Sequence, residues 1–394
     1  MESVIDLTQS GDVLRRDPHP VYARLREQGP VHRVRLHTPE GAYETWLVVG
    51  YDEARAALAD HRLAKDGAKI GATFLEERLI GKHLLAADPP QHARLRALVT
   101  RAFTTRRVAQ LRPRIQRITD DLLDEMLPRG RADLIASLAY PLPIAVICEL
   151  LGVPEMDRSE FRRISTEVVA PTGPDAEHAA VVRLAEYLTE LIEDKRRAGP
   201  TGDLLGDLIR TTAEDGDRLS AEELRGMAFL LLVAGHETTV NLIGNGVLAL
   251  LTHPAQLAAL RADPTLLDGA VEETLRWEGP VENATFRYAA EPLEIAGARI
   301  GPGEHVLIGL TAAQRDGMRY ADPDRFDIRR DTRGHLAFGH GIHFCLGAPL
   351  ARLEGRTAIG TLLERAPGLA LDGAPGEWLP GMLMRGVRSL PVRW

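Results

Sequence analysis

Ser220 opens the segment that most constrains the fold. Ser220-Ala-Glu-Glu has the form of a capping box, with Ser220 and Glu223 spaced to satisfy each other's backbone N–H groups. The helical pattern behind it continues to about Leu251, and Pro254 marks the exit. Met227 to Ala234 is strongly apolar but too short to span a bilayer, and Gly-His-Glu-Thr-Thr follows at once. That order suits a buried helix better than a lipid-facing one. A polar cluster inside such a helix must either find partners or line a pocket.

Burying this helix requires a sizeable core, and the 394 residues are 44% hydrophobic. Aromatic residues make up only 5%, so aliphatic packing dominates. Helical periodicity recurs at Tyr22–Gln28, Tyr51–Ala59, Pro90 onward, Pro143–Leu151, Ser159–Val169, Ala176–Arg197, Leu204–Thr212, Pro264–Glu278 and Leu346–Arg365. Short strands are expected near Val31–Leu36, Thr45–Val49, Thr285–Tyr288, Leu293–Ile295 and His305–Ile308. His61–Ala87 is irregular, as functional loops often are. With no repeat and no linker, the expectation is one domain over residues 1–394, mainly α with small β sheets.

The formal charge of -8 argues against a general nucleic-acid binder. Arg94, Arg96, Arg101, Arg106, Arg107, Arg112 and Arg114 still form a local basic stretch. It reads either as a solvated helix face or as part of a docking face for an acidic partner. Two cysteines cannot make a disulfide framework, and the N-terminus lacks a signal pattern, so a cytoplasmic protein without a membrane anchor is expected.

Of the two cysteines, Cys148 sits in an apolar helical run and reads as core packing. Cys345 lies in FGHGIHFCLG, among glycines and just ahead of a helix. Unpaired N–H groups at that helix start would stabilise a thiolate. Zinc is disfavoured because no second cysteine lies nearby.

Phe338, Gly341, His343, Cys345 and Gly347 resemble the haem-binding loop of the cytochrome P-450 family, and the resemblance extends over essentially the whole chain. It is strongest to soluble bacterial members that hydroxylate macrolides and other polyketides, and to a bacterial vitamin D hydroxylase. The resemblance implies the single-domain cytochrome P-450 fold, haem b as cofactor and Cys345 as proximal iron ligand, with Phe338 shielding the sulfur. Its thiolate would favour O–O cleavage.

AGHETT, Ala234 to Thr239, resembles the family's oxygen-binding groove. On the residues alone it fits a surface stripe, a hydroxyl bonded to the preceding turn, or a distorted turn at a pocket. The resemblance makes Ala234 and Gly235 the space for dioxygen. It makes Thr238 the organiser of water and Glu237 the link from that water to solvent. His236 reads as face decoration or a substrate-side contact. The acid–alcohol pair favours a reductase-fed monooxygenase over a peroxide-using oxidase, a ring-coupling enzyme or a non-catalytic haem carrier.

Glu273 and Arg276 share a helix face, by default a surface ion pair. The resemblance makes them a buried clamp completed by Arg325, with Glu272 pointing off that face. It also assigns His92, Arg96, Arg287 and His343 to the haem propionates. Leu230, Val281, Ala284 and Leu383 are expected to touch an apolar substrate, with Met384 a further lid contact and Glu282 or Glu177 more often solvated than substrate-binding. Implied partners are O2, a ferredoxin and an NAD(P)H-dependent ferredoxin reductase. The enzyme is expected to act as a monomer on hydroxylation or epoxidation.

Overall fold

A computed structural model of the chain describes all residues except 1–3, 9–10, 39–40, 72–78, 154–157, 170, 200–201, 211–218 and 381. The irregular stretch His61–Ala87 therefore falls partly outside the described residues, as does the end of the expected helix Leu204–Thr212.

The helix Ala221–Thr252 runs through the centre. Its capping box is formed: the Ser220 hydroxyl accepts from the Glu223 N–H at 3.1 Å and Glu223 accepts from the Ser220 N–H at 2.9 Å. The helix is long and apolar enough to cross a membrane, but 72% of its apolar window is buried in protein. Pro141–Leu151, Pro174–Ala198, Leu267–Trp277 and Ala348–Arg365 pack around it and share one large aliphatic core. Cys148 packs against this core.

Beside the helices stands a mixed six-stranded sheet in the order Ile5–Asp6, Val31–Thr38, Gly41–Val48, His305–Ile308, Arg287–Ala289, Leu63–Ala64. Val31 pairs Val48 across the antiparallel hairpin, and Trp46 pairs Val306 in parallel. The sheet brings Leu63–Ala64 against Ala289 and Tyr288, more than two hundred residues away in sequence. Among the described residues, two smaller sheets complete the β portion.

Most expected elements appear within a few residues of their sequence limits. Two do not. The helical pattern expected from Pro90 onward is broken at Leu111 into Thr105–Gln110 and Arg112–Met126, because Pro113 cannot donate the bond that would continue the first segment. Pro254 ends the central helix and also starts a new one, Pro254–Ala262, at a first-turn position where its missing N–H costs nothing.

Candidate functional site

The loop around Cys345 is closed by a backbone bond from the Cys345 N–H to the Phe338 carbonyl, 2.9 Å. Gly341 adopts φ +75, and a Cβ there would meet Ala59 Cα at 3.0 Å and the Leu58 carbonyl at 3.1 Å. Only glycine permits both that backbone and that approach. The helix Ala348–Arg365 starts three residues beyond the cysteine without a side-chain cap, so its first N–H groups stay available. Those of Gly347 and Ala348 bond the sulfur. Burial within the protein envelope raises the thiol above its ordinary pKa, while these two N–H groups and the Arg96 and Arg352 charges draw it down. The Cys345 side chain nonetheless retains access to solvent-sized space.

Phe338 is held from both sides. The Arg352 guanidinium lies 4.4 Å from its ring centroid and the His335 ring 5.8 Å away. Arg352 and His335 both bind Glu272, at 2.6 and 2.9 Å. Burial opposes the charge on Glu272, yet these partners hold its pKa at about 2. Glu272 does point away from the clamp face. Its role in fixing Phe338 left no signal in the sequence, since Arg352 is eighty positions away.

On the adjoining side, His92, Arg96, Arg287 and His343 come together as expected. The His92 and His343 rings are 4.4 Å apart. Burial first, then Lys65, Arg287, His92 and Arg96, lower His343 to about 2, so its imidazole is neutral. Burial and Arg96 also lower His92. Arg287 is 4% exposed and is pulled down to about 10 by burial. Two of its nitrogens donate to the Leu58 and Leu63 carbonyls, but Nε has no protein acceptor among the described residues, and neither has His92 Nε2. Arg96 donates to the Ile342 and Phe344 carbonyls at 3.0 and 2.9 Å, tying its helix to the cysteine loop.

Lys65 joins this cationic group and was not singled out by sequence. It is 7% exposed and its ammonium bonds the Thr285 hydroxyl. Its position within the irregular loop was the only hint.

On the central helix, Leu230, Leu231, Ala234 and Thr238 retain access while most neighbouring positions are buried. Their spacing makes one stripe. Gly235, also partly accessible, packs closely on its other side. A Cβ on it would lie 2.8 Å from Ile147 Cδ1, so the close approach of Pro141–Leu151 requires glycine here. The helix stays α-helical through AGHETT rather than distorting there. Thr238 Oγ1 donates to the Ala234 carbonyl at 2.9 Å, the back-bonded arrangement of a mid-helix threonine.

Glu237 is 4% exposed, so it does not open directly to solvent as expected. Its Oε1 accepts from Ser165 Oγ at 2.9 Å and Thr166 Oγ1 at 3.4 Å, both on the helix Arg158–Val169. Burial raises its pKa, but His236, Ser165 and Thr166 prevail and leave it lowered. His236 is fully buried rather than decorating a face.

The clamp differs in one member. Glu273 and Arg276 form a fully buried bidentate pair. The third side chain is Arg330, whose Nε lies 3.3 Å from Glu273 Oε1. Arg325 contributes only its carbonyl to Arg276, while its side chain is 62% exposed and pairs with Asp327. The turn Asp322–Arg325 directs carbonyls inward, which leaves the Arg325 side chain outside.

Val281, Ala284 and Leu383 are partly accessible. Met384 is instead buried and bridges to Val281. Glu282 is buried as well, accepting from the Tyr22 hydroxyl at 2.6 Å, and burial raises it to about 7. Several arginines of the basic stretch are already paired: Arg94 with Glu223, Arg107 with Asp207 and Arg114 with Glu149. Arg96 lines an open cleft of about 630 Å³ with His92, Thr100 and Ile342.

The chain that carries this thiol and cationic well matches a sequence model of the cytochrome P450 family over residues 170–366. Over 99% of its length the chain is 59% identical to Cytochrome P450 monooxygenase PikC of Streptomyces venezuelae, covering 94% of that protein. This chain is a cytochrome P450. It is also 45% identical to 6-deoxyerythronolide B hydroxylase of Saccharopolyspora erythraea, covering 100% of this chain and 99% of that one. The structure of the tirandamycin C-bound P450 monooxygenase TamI superposes with a TM-score of 0.90 at 45% identity, covering 99% of each chain. The enzyme is therefore a P450 monooxygenase with a haem-thiolate iron centre. The residues present fit that group: a thiol at one point, and at another a cationic well with Arg287 Nε and His92 Nε2 lacking protein acceptors.

Proposed function

We propose that residues 1–394 act as one haem-thiolate domain that inserts an oxygen atom from O2 into an apolar natural product, a macrolide or other polyketide. Haem b is the cofactor, Cys345 its iron ligand, and His92, Arg96, Arg287 and His343 its propionate partners. The accessible stripe Leu230–Ala234–Thr238 on an otherwise buried helix is the observation that carries this reading. It offers an apolar surface ending in one hydroxyl, which suits a large hydrocarbon-rich substrate.

When bound, the haem supplies the iron at which dioxygen is reduced and O–O cleavage occurs. Thr238 orients the water that moves protons, Glu237 supplies charge beside it, and Leu230, Val281, Ala284 and Leu383 hold the substrate. Electrons come from NAD(P)H through a reductase and a ferredoxin that docks near Arg96 and the cleft beside it. The enzyme works as a cytoplasmic monomer. The relatives named for hydroxylating 6-deoxyerythronolide B and for holding tirandamycin C support the substrate class.

Optical titration of the ferric enzyme with 6-deoxyerythronolide B, other polyketides and steroids tests it. A saturable low-spin to high-spin shift with a polyketide, followed by ferredoxin-supported oxygenated product, is expected. A shift and product only with steroids overturns the substrate class.

A further inference from the structure

Val281, Ala284 and Leu383 sit on two chain segments that bridge to each other, with a buried polar layer behind them. The Glu282 N–H donates to the Leu383 carbonyl at 2.8 Å and the Arg385 N–H to the Pro280 carbonyl at 2.9 Å, so Val281 lies opposite Met384. Asn283 Nδ2 donates to the Met382 carbonyl at 2.7 Å. Side chains alternate along such extended chain, which turns Val281 and Glu282 to opposite sides. Val281 and Leu383 stay partly accessible, while Glu282 is buried and accepts from the Tyr22 hydroxyl at 2.6 Å. Tyr22 belongs to the helix His19–Gln28 near the N-terminus.

This layer holds two carboxyl groups and divides its cations unequally. Arg385 Nε lies 2.8 Å from Glu278, the His19 ring 3.3 Å and Arg315 Nη2 3.6 Å. Burial opposes the charge on Glu278, yet His19, Arg385 and Arg315 hold it well below the ordinary carboxylate range. Glu282 has no cation in ion-pair contact among the described residues, and the Tyr22 hydroxyl is its hydrogen-bond partner. Burial pushes Glu282 up to about 7; Arg385 and Tyr22 draw it down, and the Glu278 charge adds to the rise. Burial and Glu282 raise Tyr22 well above its ordinary value, so the phenol keeps its proton and donates. The groups facing Glu282 are thus Tyr22 from one helix, Glu278 at the end of Leu267–Trp277 and Arg385 from across the bridge, with His19 and Arg315 acting through Glu278. Two carboxyls in such different surroundings take different protonation states: Glu278 stays charged, and Glu282 titrates near neutrality.

We propose that Tyr22 and Glu282 are positioning residues for substrate: their bond, made with a protonated Glu282 carboxyl, holds the bridge so that Val281, Ala284 and Leu383 meet the substrate. The proposal rests on the polyketide reading above. Ionising Glu282 places a second carboxylate beside Glu278, with Arg385 as the cation the two must share. Arg385 already donates to Glu278 and to the carbonyls of Arg15 and Arg16 at 2.6 and 3.0 Å. A turn toward Glu282 loosens these ties and shifts the segment that carries Leu383. The released proton goes to bulk water, which Glu282 reaches through its 5% exposure. The bridge therefore fits substrate while Glu282 keeps its proton, and affinity falls as pH rises through about 7.

The test uses the ferric haem enzyme, titrated between about pH 6 and about pH 8. The probe is 6-deoxyerythronolide B or, failing a spin shift, the polyketide giving the largest one. If the protonated form alone binds, a pKa of about 7 makes the dissociation constant rise about tenfold over that range. Glu282→Gln keeps an oxygen to accept from Tyr22 and cannot ionise, so it should hold the parent's low-pH affinity throughout. Tyr22→Phe should bind more weakly than the parent at the low-pH end. A parental pH slope in Glu282→Gln, no slope in the parent, or parental low-pH affinity in Tyr22→Phe each overturns the proposal. Hydrogen exchange gives a readout without substrate. Compared at equal pH, the amides at 282 and 385 should be equally protected in parent and Glu282→Gln at the low end, and roughly several-fold less protected in the parent at the high end. Equal protection at both ends also overturns the proposal. If no polyketide shifts the spin state even in the parent, the substrate reading fails, and the exchange result still decides whether the pair holds the bridge.

Discussion

Arg276 and Glu273 meet through two bonds of 2.7 Å with no solvent contact on either side chain. The pair also bonds the backbone at Gln314, Pro323, Arg325 and Asp327, so it ties the helix Leu267–Trp277 to the chain leading to the cysteine loop. Removing one partner strands a buried charge. Glu273→Ala or Arg276→Ala should cost about 3–5 kcal/mol in chemical denaturation. Arg330→Ala should be clearly destabilising, whereas Arg325→Ala should stay within about 0.5 kcal/mol. Equal losses at 325 and 330 would contradict the assignment of the third member.

Thr238 carries the only hydroxyl on the accessible stripe among its described positions. Thr238→Ala should bind substrate as the parent does but divert reducing equivalents to peroxide. Product and peroxide measured per NAD(P)H consumed check this, and an unchanged product yield would remove Thr238 from the proton path.

Lys65 brings a buried positive charge to the well formed by Arg287, His92 and His343. Lys65→Met keeps much of the side-chain volume and removes the charge. A lost charge-assisted bond of about 1.5–3 kcal/mol corresponds to haem transfer to an acceptor globin roughly ten to a hundred times faster. Haem transfer at the parent's rate would confine Lys65 to its Thr285 contact.

Glu354 lies on the cysteine helix, 1% exposed, and neither oxygen has a protein partner among the described residues. Burial raises its pKa well above the usual carboxylate value, so the folded protein keeps it protonated. The unfolded chain ionises near pH 4.3. Folding stability is therefore highest below that value and falls as pH rises toward the raised folded pKa. Glu354→Gln removes this loss. Denaturation curves should show the variant close to the parent at low pH and more stable near neutrality. A constant difference across pH would refute a protonated Glu354.

The sequence by itself determined the elements and the chemistry's address. Ser220 and Glu223 capped the central helix because that interaction is local, and Cys345 was marked by glycines and a following helix for the same reason. The spacing of Glu273 and Arg276 put them on one face, but not inside the protein. Tertiary structure decided everything that depends on residues distant in the chain. Strand pairing carried Lys65 to Thr285, loop geometry chose Arg330 over Arg325, and helix packing set Ile147 against Gly235. It also placed Ser165 against His236 and Glu237, seventy-one and seventy-two positions away. Periodicity reports which face of a helix is apolar. It carries no information about which polar atoms another helix will bring to that face, and burial converts those unrecorded partners into charge states.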